Sequence, residues 1–183
     1  MKKVSLRMIL GLVALGLALA LLSACPPPPP APAPAPNRVA GLSEISISSV
    51  EIAAPPEAVF SYVTDPASFS EWEWSKISNV QGQGLGQTMD WSIEFLGEKL
   101  GGHSVVVDYI PNQKWGAAWN GDLHGTDTWL FVPAGAGTKL IFIQYGAAVG
   151  PDMTKEAWDA VVQEAKKNIE QALQKIKAAV EKK

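Results

Sequence analysis

The C-terminal segment 153–183 carries one apolar stripe at helical spacing, and that stripe limits the folds open to the whole chain. It runs from Trp158 through Val161, Val162, Ala165, Ile169, Ala172, Leu173 and Ile176 to Val180, along one side of a single long helix. Asp152 or Thr154 can cap its start. A helix that is apolar on one side must cover one apolar surface. The preceding residues supply that surface as strands. Met89, Trp91, Ile93 and Phe95 alternate with Thr88, Asp90, Ser92 and Glu94, the two-residue period of a half-buried strand.

Residues 103–110, 115–119, 123–132 and 139–147 read as further strands, punctuated by Pro111-Asn112, Asn120-Gly121 and the turn PAGAGT. Upstream, SEISISSVEIA (43–53) alternates as a strand, with a change of phase expected near Ser48-Ser49. Pro55-Pro56 stop it. Pro56 can open a helix that ends before Asp65-Pro66, and a second short helix is expected over 66–72. The order is strand, two helices, six strands, helix. This is an α+β chain in which a curved antiparallel sheet of about seven strands wraps around the long C-terminal helix.

The first forty residues follow a different logic. Lys2, Lys3 and Arg7 precede an apolar run over 8–22, the charge and length pattern of a secretory signal. The run is short for a permanent span, which needs about 20 apolar residues. Leu22-Ser23-Ala24-Cys25 resembles the bacterial lipobox, an aliphatic residue and two small residues before a Cys. That resemblance implies diacylglycerol on the Cys25 sulfur and cleavage before it, and often acylation of the new amine. Two or three acyl chains hold a protein on a membrane where one does so only marginally. PPPPPAPAPAP (26–36) can form neither helix nor sheet and should adopt polyproline II, a spacer of roughly 30 Å. Three segments result: 1–24 a lipoprotein signal peptide, 25–41 an acylated Cys and linker, 42–183 the folded domain.

Composition removes other classes. The chain is 47% hydrophobic with a net charge of −3, and losing 1–24 would remove three basic residues and no acid. A mildly acidic domain without a basic cluster is not expected to bind nucleic acid. One Cys allows no intramolecular disulfide. Two His, placed so that His124 and Asp127 face opposite sides of a strand, argue against zinc. The Gly-rich turns lack a P-loop Lys-Ser/Thr, and no nucleophile-elbow motif occurs. No cofactor or metal is expected.

Five motifs in order carry a resemblance over roughly 43–183. They are VEIAAPPEAVFSYVTDPASFSEW, GLGQTMDWSIEFLG, VDYIPNQKW, GAGTKLIF and LQKIKAAVEK. Together they resemble the helix-grip superfamily, also called START-like or SRPBCC, and within it the polyketide cyclase/dehydrase and lipid-transport group. Asn168 stands where many members have Gly. The resemblance implies a deep apolar cavity between the sheet and the long helix.

All seven Trp lie after residue 70. If the strand faces of Trp91, Trp119, Trp129 and Phe131 point inward, these residues and Trp72 line the cavity for an apolar or ring-bearing ligand. By the same phase argument His103 and Asp127 are the polar candidates inside it. There a His–Asp pair could move protons on a cyclase-type substrate, or each residue could be merely structural. The leading expectation is an envelope lipoprotein, anchored to a membrane at Cys25 and facing the periplasm or cell exterior, that holds a small hydrophobic ligand without transforming it. A cyclase/dehydratase-like enzyme using His103 and Asp127 is the first alternative. A non-catalytic scaffold for an unspecified partner protein is the second.

Overall fold

The computed structural model describes residues 43–73, 75–95, 97–148 and 154–182. The expected signal segment, Cys25, the Pro/Ala-rich stretch and the alternative cap Asp152 lie outside the described residues.

The chain enters on β1 (Ser43–Ile52), then α1 (Pro56–Thr64), a 3-10 turn (Pro66–Ser68) and α2 (Phe69–Trp72). Six strands follow: β2 (Lys76–Gln81), β3 (Thr88–Phe95), β4 (Glu98–Ile110), β5 (Lys114–Gly121), β6 (Leu123–Ala134) and β7 (Gly137–Ala148), before α3 (Lys155–Glu181). All strand pairs are antiparallel, in the order β1-β7-β6-β5-β4-β3-β2. The helices α1 and α2 therefore carry the chain from one edge of the sheet to the other, and β2 to β7 meander back to meet β1.

Local chemistry sets these boundaries. Pro56 occupies the first position of α1, where a missing N–H costs nothing. The Asp65 side chain accepts from the Ala67 N–H and caps the 3-10 turn. Thr154 Oγ1 accepts from Ala157 N at 3.1 Å and caps α3. At the far end of α3, Glu181 Oε1 accepts from Ala53 N at 2.8 Å and Lys177 Nζ donates to Glu51 O, tying the helix to the end of β1.

Two details depart from the sequence reading. The irregularity in β1 falls between Glu44 and Ser46 rather than near Ser48-Ser49. It turns Ile45 and Ser46 inward and leaves Ile47 exposed. The short edge strand β2 lies in a segment that no alternation marked. Its residues are mostly exposed, and Asn79 has a φ of 51° within its irregular pairing to β3, so the two-residue period never forms.

The core divides in two. The larger cluster joins α1, α2 and the middle strands to Ile169, Leu173, Ile176 and Val180 of α3. A smaller one joins Ile45 and Phe95 to Trp158, Val161 and Ala165 at the start of α3.

Candidate functional site

A cavity of about 110 Å³ opens between the concave face of the sheet and the first half of α3. Its sheet wall follows from strand phase. Trp115, Ala117 and Trp119 alternate along β5, and Asp127 and Trp129 share one face of β6. Gln144 stands directly across from Asp127 on β7, with Ala117 across from it on the other side. Val161 and Ala165 of α3 cover the space, while Glu73 and Ser75 reach it from the segment after α2.

Glycines fix the two outer indoles. Trp91 pairs across the strands with Gly102, and Trp119 with Gly125. A Cβ on Gly102 would stand 2.7 Å from Trp91 Cζ2, and one on Gly125 would stand 2.5 Å from Trp119 Cζ2. The rings thus rest where a side chain would otherwise be. They meet edge to face, with centroids 6.3 Å apart. Trp115 lies directly across from Trp129. The buried indole N–H groups of Trp91 and Trp115 have no hydrogen-bond partner among the described residues, a cost of about 1–3 kcal/mol each in a dry interior.

Asp127 is the polar centre of this wall. Trp119 Nε1 donates to its Oδ1 at 3.0 Å and Gln144 Nε2 donates to the same oxygen at 2.9 Å. Burial pushes the Asp127 carboxyl up to about 6, against the opposing pull of those two donors. Such a group holds its proton well above the usual carboxylate range and is ionised at neutral pH.

His103 is elsewhere. It projects from the outer face of β4, with half its side chain exposed, and its Nδ1 lies 2.9 Å from Asp90 Oδ1. Hydrogen bonds from Asn79 and then His103 hold Asp90 below its ordinary value. The inward residues of β4 are Ser104 and Val106, and a bulge between Val106 and Asp108 then brings Tyr109 round to pack on Phe60. A single phase carried through that bulge sets His103 on the face of Tyr109 and hence inside the cavity; the bulge is what leaves it outside. His103 and Asp127 therefore form no acid–base pair, and the arrangement required by the cyclase-type alternative is absent.

Of the aromatic residues expected in the cavity, Trp91, Trp119 and Trp129 line it. Trp72 and Phe131 do not. Trp72 packs edge-on against Trp129, and Phe131 against Phe60, so both belong to the larger cluster. Trp115 lines the cavity as well, two and four residues before Ala117 and Trp119 on one face of β5, and Met89, Phe95, Ser104, Gln144 and Glu73 are lining residues that sequence reasoning did not reach.

An antiparallel sheet curved over one long helix, with a cavity between them, defines the helix-grip class. The chain belongs to the polyketide cyclase/dehydrase and lipid-transport family, whose profile matches residues 46–181. Solved structures share the fold at low identity. A protein from Thermus thermophilus is 20% identical with a TM-score of 0.67, over 75% of this chain and 97% of that one. The Zhui aromatase/cyclase from Streptomyces sp. R1128 is 18% identical with a TM-score of 0.62, over 77% and 94% of the two chains. A protein from Chromobacterium violaceum is 19% identical with a TM-score of 0.55, over 74% and 96%. No curated protein matches the chain.

Proposed function

We propose that this chain is a bacterial envelope lipoprotein, anchored through acylated Cys25, whose helix-grip domain binds a small hydrophobic ligand in the cavity beneath α3. The observation that carries the reading is the Trp-lined cavity itself. Indoles at positions 91, 115, 119 and 129 surround a space of about 110 Å³. A packed core would have filled it, since voids larger than a water are few in a domain. The space is small beside the 300–1,000 Å³ usual for drug-sized ligands, so it suits one ring or a short branched group. The polyproline segment would hold this site a few nanometres from the bilayer, within reach of lipophilic molecules there.

Mass spectrometry of the full chain purified from bacterial membranes tests both halves. The expected products are a mature N-terminus at Cys25 bearing acyl chains and a co-purified small molecule in native spectra. An unprocessed, unacylated chain would remove the anchor, and repeatedly empty native spectra would remove the ligand. The scaffold alternative requires a filled interior, and the cavity counts against it.

A further inference from the structure

The charge of the cavity narrows the ligand beyond hydrophobicity, on the premise that the cavity binds a ligand at all. Among the described residues its ionisable lining is Glu73 and Asp127, both acids, with no Lys, Arg or His. A carboxylate or phosphate placed there would meet like charge in a poorly solvated space. Asp127 adds direction. Its Oδ1 takes both internal donors, from Trp119 and Gln144, whereas Oδ2 has no hydrogen-bond or ion-pair partner among the described residues. The residue is half-buried, opening onto the cavity, and desolvation raises its pKa to about 6, so it is mostly ionised at pH 7.5. It stands among four indoles, the side chains whose π-faces attract cations most strongly. A carboxylate drawn out of water is stable when a cation pairs with it, and no described residue supplies one.

We infer that the cavity recognises the head of an organic cation, a small alkylammonium group, with its charge set between Asp127 and the indoles of Trp91, Trp115, Trp119 and Trp129. The volume agrees. About 110 Å³ is small beside the 300–1,000 Å³ usual for drug-sized ligands, room for a compact head and not for a whole lipid. A longer chain would extend out past Glu73 and Ser75, adding a second carboxylate at that side. The alkyl groups cover the apolar walls and the charge pairs with Asp127, while the unpaired N–H groups of Trp91 and Trp115 call for an acceptor beside the charge, such as a hydroxyl.

Three probes of one shape and different charge test this: choline, 3,3-dimethylbutan-1-ol and 3,3-dimethylbutanoate. Each is titrated calorimetrically into the protein as purified from bacterial membranes, held in lipid nanodiscs at pH 7.5, against empty nanodiscs. The expected order is cation, neutral, anion, with choline at least about tenfold tighter than the alcohol. Asp127→Asn should bring the choline-to-alcohol ratio to about one, and Glu73→Gln should reduce it less. Should Asp127→Asn fold poorly, the wild-type ratio at pH 5, where Asp127 is protonated, gives the same readout and should fall several-fold. Equal binding of choline and the alcohol, or tighter binding of the alcohol or the anion, overturns the cation assignment and leaves a hydrophobic site standing. Binding of none of the three overturns both.

Discussion

Trp119 donates its indole N–H to Asp127 Oδ1 at 3.0 Å across the β5–β6 pair, joining the aromatic wall of the cavity to its one inner carboxylate. The bond favours the ionised acid, yet burial outweighs it and the pKa rises to about 6. A raised pKa means that the folded state binds a proton which the unfolded state releases near pH 4. Stability from this group is present below pH 4 and is lost as pH rises to about 6. The loss is about 3 kcal/mol at most. Asp90 and Glu181 are shifted the other way, so their contributions are present above the unfolded carboxylate range and disappear at more acidic pH. Urea unfolding of wild type and Asp127→Asn at pH 4.5 and 7.5 separates the terms. The variant should gain on wild type as pH rises. A constant difference would show that Asp127 is not desolvated.

The glycine seats give a second expectation. A Cβ at Gly125 would stand 2.1 Å from Tyr145 O as well as 2.5 Å from Trp119 Cζ2. Backbone cannot yield as a flexible side chain does, so Gly125→Ala should cost about 1–3 kcal/mol or more. Gly86→Ala is a useful contrast: nothing lies within 4 Å of its Cβ position, but its φ is +83°, so its cost is conformational alone. Near-UV circular dichroism should change for Gly125→Ala, because Trp119 must move, and should be preserved for Gly86→Ala.

Filling the cavity should stabilise the protein and silence it. Ala165 faces the space from α3 and is almost wholly buried. Ala165→Leu adds apolar volume where volume is missing and should raise stability by about 0.5–2 kcal/mol. Thermal unfolding should show the higher midpoint, and calorimetry should show loss of any ligand that wild type binds. A lower midpoint would mean that the cavity is too well formed to accept the side chain.

A buried polar contact closes the other end of the sheet. Thr138 Oγ1 donates to Ala54 O at 2.7 Å, and Thr138 is 1% exposed. Thr138→Val keeps the shape and removes the donor, leaving a buried carbonyl unpaired. The expected loss is about 1–3 kcal/mol by urea unfolding, with ligand binding preserved because Thr138 is not part of the cavity wall.

The fold was legible wherever one face of an element is buried along its whole length. The stripe from Trp158 to Val180 and the alternation from Met89 to Phe95 have a single phase, so periodicity locates them directly. It failed where the backbone changes phase. One extra residue near Val107 separates the outward His103 from the inward Tyr109, and nothing in HSVVVDYI marks that position. Asp127 was readable because β6 keeps one phase from Gly125 through Asp127 and Trp129 to Phe131. Trp72 and Phe131 show the complementary limit. Period gives the side of an element a residue occupies, but whether that side meets a cavity or packed neighbours depends on residues distant in sequence, here Trp129 and Phe60.

The division of the core has a consequence for how the molecule opens. The helix α3 is one continuous rod, but its first turns close the smaller cluster and its last turns the larger, with the cavity between them. Opening free energies follow the packing around each segment. Amide exchange should therefore be faster around Trp158–Ala165 than around Ile169–Ile176, with the cavity as the seam. A ligand seated there touches both clusters and would make them open together. Occupancy would then be recorded in the cooperativity of the domain as well as in its affinity.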